Sequence, residues 1–95
     1  MKQPAVYMIT NKVNGTLYTG VTSDLTKRIW QHRNGITPGF AARYGCKLLV
    51  SYELHETMLS AIAWEKQLKA GSRMAKGILI AAANPAWRDL FDELV

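Results

Sequence analysis

Residues 5–22 read AVYMITNKVNGTLYTGVT, and this stretch decides how the chain begins to fold. Two segments rich in β-branched and aromatic residues, 5–11 and 16–22, flank the pair Asn14-Gly15. Asparagine and glycine accept the positive φ angles that a tight hairpin turn requires, and β-branched and aromatic side chains favour strands. The stretch therefore predicts a β-hairpin near the start of the protein.

The predicted hairpin gives its two tyrosines a common orientation. A turn with two central residues would pair Tyr7 with Thr22 and Ile9 with Gly20. Because side chains alternate between the two faces of a strand, Tyr7, Tyr18 and Gly20 would then share one face. Gly20 carries no side chain, so we expect it to leave room on that face for a ligand or another backbone.

The rest of the chain reads as helices and one further strand. Residues that can cap helix starts precede each apolar helical pattern, and glycine or Asn-Pro follows it. The predicted elements are a helix over residues 24–34, a loop over 35–46 with one helical turn near 41–43, a strand over 47–54, helices over 57–70 and 72–83, and a short closing segment over 87–94. The fold class is therefore α/β of the α+β type, with three strands and flanking helices in the order β-β-α-β-α-α.

The composition favours one basic globular domain over residues 1–95. Apolar residues make up 48% of the chain and charged residues 20%, which is enough for a modest core. Twelve Lys and Arg against seven Asp and Glu give a formal charge of +5, and a basic balance favours an anionic partner, most commonly nucleic acid. Cys46 is the only cysteine, so an intramolecular disulfide is excluded. The longest apolar run, 78–83, is far shorter than a membrane span, and we expect a cytoplasmic protein.

A carboxylate, Glu65, interrupts the apolar side of the helix over 57–70. The apolar residues at helical spacing around it are Met58, Ala61, Ile62 and Leu68. Burying a lone carboxylate is costly, so Glu65 must be paired, protonated or bound to a metal ion. The structural alternatives to a metal site are a salt bridge to Lys69 or Arg28, or a position at the edge of the apolar side from which the carboxylate reaches solvent.

Arg28 and His32 stand one helical turn apart, so both can point at one ligand. A guanidinium binds two phosphate oxygens at once, and an imidazole can take or hold a proton near neutral pH. Tyr7 and Tyr18 could serve as a base only if nearby cations lowered the pKa of the hydroxyl from about 10. Taken singly, the tyrosines read as packing residues and the Arg28–His32 pair as a solvated helix face, so the chemistry requires that all of them converge.

Five segments in this order resemble the GIY-YIG nuclease superfamily, which is named for two short tripeptides. Here the tripeptides stand as Ala5-Val6-Tyr7 and Tyr18-Thr19-Gly20. The three further segments are the arginine-bearing helix 24–32, the glutamate-bearing Trp64-Glu65-Lys66-Gln67-Leu68, and Asn84-Pro85-Ala86-Trp87, as in small standalone members. The resemblance covers the chain from Val6 to about Leu90. Each tripeptide alone carries little information, whereas the order and spacing of all five are specific.

The resemblance implies a small three-stranded antiparallel sheet with the catalytic site on one face. It implies that Glu65 holds one divalent cation, Mg²⁺ or another such as Mn²⁺, and that Arg28 stabilises charge on the phosphate. It also implies that Tyr7 helps to deprotonate or orient the attacking water, with help from Tyr18 or His32. The remaining implied site residue, a supporting hydrogen-bonding group, is Asn84.

The expected activity is that of a metal-dependent endonuclease which hydrolyses phosphodiester bonds of DNA, favoured over RNA, at nicked or branched structures in repair or recombination. The basic residues that would contact phosphates, and that otherwise read as solvated, are Lys27, Arg33, Lys66, Lys69 and Arg73. Two alternatives stay open. One is a non-catalytic nucleic-acid-binding module, and the other is a subunit that acts only with a protein partner that supplies targeting.

Overall fold

The computed structural model describes residues 2–95 and contains a three-stranded sheet with helices on both faces. The elements are β1 (Ala5–Thr10), β2 (Leu17–Thr22), α1 (Leu25–Arg33), α2 (Phe40–Arg43), β3 (Leu48–Leu54), α3 (Met58–Ala70), α4 (Arg73–Ala83) and a closing 3₁₀ turn (Phe91–Glu93). The strands lie in the order β2-β1-β3, and both pairs are antiparallel. The α+β fold class and the antiparallel sheet are therefore confirmed.

The hairpin register differs from the predicted one by two residues. Tyr7 lies opposite Gly20, and the strands end early enough to leave a loop over residues 11–16. Inside this loop the N–H of Gly15 donates to the carbonyl of Lys12 at 2.9 Å, with Asn14 at a φ of 56°. The side chain of Asn11 accepts the N–H of Thr16 at 2.9 Å, where strand pairing was expected. A shift of two residues preserves the alternation of side chains, so both tyrosines still share one face.

The two faces of β1 are buried by different helices. The face that carries Tyr7 packs under α1, α2 and the C-terminal segment, while the opposite face of β1 packs under α3, α4 and Trp87. This arrangement explains why all six residues of β1 are buried, and why only Tyr7 and Thr10 among them carry a polar group. The central strand therefore fixes the tyrosine face relative to both helical layers.

Helix α1, which carries two of the predicted site residues, has defined ends. The Asp24 carboxylate accepts the N–H of Lys27 at 3.2 Å and caps the start of the helix. The helix stops at Arg33, and Gly35, two residues later, has a left-handed backbone conformation with a φ of 66°. The N–H of Ile36 donates to the carbonyl of Gln31 at 3.0 Å and closes this end. These caps fix the length of α1 and hence which residues of it face the sheet. No helix within residues 2–95 is long and apolar enough to cross a membrane.

Candidate active site

Three rings from three elements meet above the sheet. Tyr7 comes from β1, Tyr18 from β2 and His32 from the inner face of α1. The ring centroids of Tyr7 and Tyr18 lie 6.4 Å apart, and each lies 5.7 Å from the centroid of His32. The convergence of these residues, which the sequence left open, is therefore present in the structure.

A buried hydrogen bond links the first tyrosine to the histidine. The Tyr7 hydroxyl oxygen lies 2.9 Å from Nε2 of His32, and the two residues are 2% and 5% exposed. Burial, and then the positive charge of Arg28, lower the pKa of His32 below its ordinary value. Because the imidazole is neutral at pH 7, its Nε2 can accept a proton from the Tyr7 hydroxyl.

The environment of Tyr7 opposes a negative charge on its oxygen. Burial, and then the nearby Tyr18, raise the pKa of Tyr7 above its ordinary value, and Arg28 offsets this only in part. The expected lowering of the pKa of Tyr7 by a cation is thus present but outweighed by burial. Tyr7 therefore suits a role in which it gains one proton as it gives up another.

The space above Gly20 is filled by the side chain of Tyr7. A Cβ atom at Gly20 would lie 2.4 Å from the Tyr7 hydroxyl oxygen and 2.5 Å from its ring carbon Cζ. The expectation that Gly20 leaves room for a ligand is therefore wrong, because the side chain of Tyr7 occupies that room. The absence of a side chain at Gly20 lets the Tyr7 ring pass close to the backbone of β2 and reach His32.

Glu65 lies at the border of the site, paired with a lysine. Its side chain is 13% exposed, and Oε2 lies 3.1 Å from Nζ of Lys69. Its negative charge is among the groups that raise the pKa of Tyr7, and Nζ of Lys69 lies 5.9 Å from the ring centroid of Tyr18. The carboxylate is therefore near the tyrosines, and the ion pair is one of those that the sequence allowed. The buried side of α3 is narrower than predicted, since Met58 is exposed.

The side chains near the tyrosines offer one carboxylate to a divalent cation, that of Glu65. Within residues 2–95 no three His, Cys, Asp or Glu side chains gather in a group that could hold a metal ion. Glu65 would thus be the single protein carboxylate, with water and phosphate oxygens completing the shell. Mg²⁺ commonly binds through one or two carboxylates plus substrate phosphates and waters, so the residues present fit such an ion.

A polar cavity of about 220 Å³ opens beside the guanidinium of Arg28. Its lining includes Lys27, one of the predicted phosphate contacts, and Lys2, which the sequence analysis did not single out. Nη1 of Arg28 lies 3.5 Å from Oε1 of Gln31, which lines the same cavity. Three cationic side chains thus border one opening, together with the helix-capping carboxylate of Asp24.

Three predicted site residues are engaged elsewhere. The amide of Asn84 donates to the carbonyls of Val50 at 3.1 Å and Arg88 at 2.8 Å, and so binds β3, the strand at the opposite edge of the sheet from β2. Arg33 pairs with Asp89. Arg73 donates to the hairpin-loop carbonyls of Asn14 and Gly15 at 2.8 and 2.5 Å. The structure does not bring these three side chains to the tyrosines, whereas Lys66 is exposed on α3.

Two exposed aromatic residues beside the site were missed by the sequence analysis. The ring of Phe40 stacks near Tyr18, with centroids 6.3 Å apart and planes 24° apart. Tyr44 follows, 4.7 Å from Phe40. Their signal in the sequence is an aromatic pair four residues apart in Phe40-Ala41-Ala42-Arg43-Tyr44, which places both rings on one side of a helical turn.

Known proteins resemble this chain in sequence and in fold. A family model described as the GIY-YIG catalytic domain matches residues 3–77, a range that includes the tyrosines, Arg28, His32 and Glu65 but not Asn84. A UPF0213 protein of Staphylococcus saprophyticus is 33% identical over 81 residues, which cover 85% of this chain and 98% of that protein. The solution NMR structure of a UPF0213 protein from Bacillus halodurans has a TM-score of 0.54 at 29% identity, with 85% of each chain covered. The chain therefore belongs to the GIY-YIG family, a family of nucleases that act on nucleic acid.

Proposed function

We propose that this protein is a metal-dependent endonuclease that hydrolyses phosphodiester bonds of DNA. The observation that supports this most directly is the buried hydrogen bond between the Tyr7 hydroxyl and Nε2 of His32, 2.9 Å long. The pair lies near Arg28 and Glu65, so one place holds a proton acceptor, a phosphate-binding group and a carboxylate. Such a set has the parts that attack by water on a phosphate requires.

The proton of the attacking water leaves through Tyr7. As the water oxygen forms its bond to phosphorus, the bond from phosphorus to the leaving ester oxygen breaks. The proton of the water moves to the Tyr7 oxygen while the hydroxyl proton of Tyr7 moves to Nε2 of His32, and the leaving oxygen takes a proton from solvent. Tyr7 then carries no net charge at the end of the step, which agrees with a pKa raised by burial. His32 ends as an imidazolium, and it returns the proton to solvent before the next cycle.

Arg28 stabilises the charge that develops on the phosphate. Its forked guanidinium binds two oxygens in a fixed geometry, and the side chain is partly buried beside the tyrosines. Lys2 and Lys27, which border the same cavity, would hold the neighbouring phosphate of the strand. Gln31, within 3.5 Å of the guanidinium, would orient it.

Glu65 would hold the divalent cation, Mg²⁺ or Mn²⁺. A bound ion would supply Lewis-acid stabilisation of the phosphate and of the leaving oxygen. Lys69 neutralises Glu65 in the free protein, and its side chain is 51% exposed, so it can turn away at little cost when a cation binds. The pairing also keeps a carboxylate from repelling an approaching phosphate.

The substrate proposed is DNA with a bend, nick or branch, and the role is in repair or recombination. The radius of gyration is only 12.2 Å, so a single copy covers a short length of duplex. Contacts from lysines and arginines to phosphates position a strand but carry no base information. A local distortion that exposes phosphates would therefore select the cleavage site better than sequence does.

The Glu65–Lys69 ion pair favours a second candidate function, a module that binds nucleic acid without cleaving it. In that case the carboxylate would be satisfied permanently by Lys69 at 3.1 Å and would have no need of a cation. Binding would then depend strongly on salt, and Mg²⁺ would not produce cleavage. A third candidate function is that of a subunit which needs a protein partner. In that case cleavage would be seen only when the partner is added.

Incubation with supercoiled plasmid and a panel of branched DNA, with Mg²⁺ or with EDTA, tests the proposal. Wild-type protein should nick DNA with Mg²⁺ and not with EDTA. Glu65→Gln and Arg28→Ala should abolish nicking, while the matched control Glu56→Gln, which changes an exposed glutamate outside the site, should nick at the wild-type rate. Nicking that persists in Glu65→Gln, or in EDTA, would contradict the proposal.

A further inference from the structure

A row of aromatic rings leads from the candidate active site to the surface. It consists of Tyr18, Phe40 and Tyr44, in that order, with centroid separations of 6.3 and 4.7 Å. Its inner end, Tyr18, lies 6.4 Å from Tyr7. We call these three residues the aromatic row. It is continuous with the site and ends in solvent.

The outer two rings are exposed although the segment that carries them is held in place. Ala41 and Cys46, on the same segment, are buried at 4% and 1% exposure, and the N–H of Cys46 donates to the carbonyl of Ala41 at 2.9 Å. Phe40 and Tyr44 nevertheless remain 48% and 44% exposed. The fold therefore presents two large rings to solvent from a fixed backbone, which is the condition for a preformed binding surface.

Cations flank the aromatic row. The Arg43 guanidinium lies 5.6 Å from the ring centroid of Tyr44, and Nζ of Lys69 lies 5.9 Å from that of Tyr18. Aromatic faces interleaved with lysine and arginine are the features by which proteins bind single-stranded nucleic acid, since bases stack on the rings while cations meet phosphates. A purely apolar partner would not explain the cations beside the rings, whereas a nucleic-acid strand offers both flat base faces and phosphates.

We infer that the aromatic row binds unpaired nucleotides next to the phosphate that is cleaved, with bases stacked on Phe40 and Tyr44. This inference rests on the proposed function and narrows its substrate to DNA with a single-stranded part, such as an overhang, a flap or a gap. In a duplex the base faces are already stacked on each other, so the rings could reach them only by unstacking them. Stacking tolerates any base, so the preference would be for strand state and not for sequence.

Fluorescence anisotropy of labelled DNA in EDTA tests the inference, because it measures binding without cleavage. The probes are a blunt duplex and the same duplex with a single-stranded overhang. The variants are Phe40→Ala, Tyr44→Ala and the conservative Phe40→Trp. The matched control is Trp30→Ala, which removes a 51% exposed tryptophan of α1 outside the aromatic row. Circular dichroism melting checks that each variant is folded.

The wild type should bind the overhang DNA more tightly than the blunt duplex. Phe40→Ala and Tyr44→Ala should each weaken binding to the overhang DNA by about five-fold or more and leave binding to the duplex unchanged, whereas Phe40→Trp and Trp30→Ala should bind like the wild type. Equal binding of the two probes by the wild type, or an equal loss on both probes in the variants, would overturn the inference.

The same data separate this inference from the proposed function. If the wild type cleaves no DNA, and the Phe40→Ala variant binds overhang DNA more weakly than the wild type does, the inference about the aromatic row holds and the nuclease proposal fails. If the wild type cleaves duplex and overhang DNA alike, and the variants bind both normally, the nuclease proposal stands and the aromatic row is refuted.

Discussion

Replacement of Gly20 by alanine should disturb both the stability and the activity of this protein through Tyr7. The added Cβ would lie 2.4 Å from the Tyr7 hydroxyl oxygen, whereas ordinary contacts of this kind begin at 3.4 Å, so the ring must move by about 1 Å. Tyr7 is 2% exposed and packed in the core, so it cannot swing into solvent. Overpacking of this kind costs about 1–3 kcal/mol of the free energy of unfolding.

Two assays follow from that displacement. For a domain of this size a loss of 1 kcal/mol lowers the melting temperature by about 4–8 °C, which thermal denaturation resolves easily. A 1 Å displacement of a catalytic group can reduce the rate by about 100-fold, so plasmid nicking by Gly20→Ala should fall by that order. The matched control is Gly77→Ala in α4, where a Cβ meets nothing within 4 Å. Its expected effect is a gain of about 0.5–1 kcal/mol from the better helix propensity of alanine, with unchanged activity.

Two outcomes for Gly20→Ala would contradict this reasoning in whole or in part. If Gly20→Ala melts at the wild-type temperature and nicks DNA at the wild-type rate, then Tyr7 is not held by its contact with Gly20. A loss of stability without a loss of activity, measured well below the melting temperature, would instead separate the packing of Tyr7 from catalysis.

Two further predictions concern His32 and Arg73. Burial and Arg28 lower the pKa of His32 in the folded protein, so the unfolded chain binds a proton that the folded chain does not, and the free energy of unfolding should fall as the pH drops below about 6.5. Urea denaturation at a series of pH values from neutral to acidic measures this change. The free energy of unfolding should depend less on pH in His32→Gln than in the wild type, and an equal dependence would contradict the buried neutral imidazole. Arg73→Ala removes charge-assisted hydrogen bonds to the carbonyls of Asn14 and Gly15 and should cost about 1.5–3 kcal/mol by urea denaturation. Weaker DNA binding with unchanged stability would show that Arg73 contacts phosphate, as the sequence analysis expected.

The helix boundaries could be predicted because their signals are local. The side chain of Thr57 accepts the N–H of Ser60 at 3.1 Å, and that of Ser72 accepts the N–H of Ala75 at 3.0 Å, as capping residues at these positions should. Each α-helix therefore begins within one residue of the predicted position, whereas the closing 3₁₀ turn begins at Phe91, inside the predicted closing segment over 87–94. Such signals act over three or four residues and need no knowledge of the rest of the chain.

The hairpin register could not be predicted because part of what fixes it is distant in sequence. Asn14-Gly15 does form a turn, but Arg73 from α4 binds the carbonyls of that turn, and Asn11 closes the loop from inside. A short-range pattern favours the shortest turn, whereas the fold selects a longer one. The shared face of Tyr7 and Tyr18 was predicted correctly because a shift of two residues leaves the alternation unchanged.

The composition of the site was easier to predict than its energetics. Spacing and the family resemblance named Tyr7, His32, Arg28 and Glu65 as candidates, and these four side chains lie close together. The raised pKa of Tyr7 depends on burial, which is a property of the tertiary structure. The position of Asn84 against β3 depends on the order of strands in the sheet, which a linear motif does not reveal.

The most direct test of the account is the single-turnover rate at which wild-type protein and Tyr7→Phe cleave the same labelled DNA in saturating Mg²⁺. Phenylalanine keeps the ring against Gly20 and removes only the hydroxyl that faces His32. The matched control is Tyr52→Phe on β3, directly opposite Tyr7, which removes a hydroxyl that donates to Glu93 at 3.1 Å. We predict a fall of about 100-fold or more for Tyr7→Phe with unchanged DNA affinity, and a wild-type rate for Tyr52→Phe. Cleavage by Tyr7→Phe at the wild-type rate would contradict the role of Tyr7 in moving the proton of the attacking water.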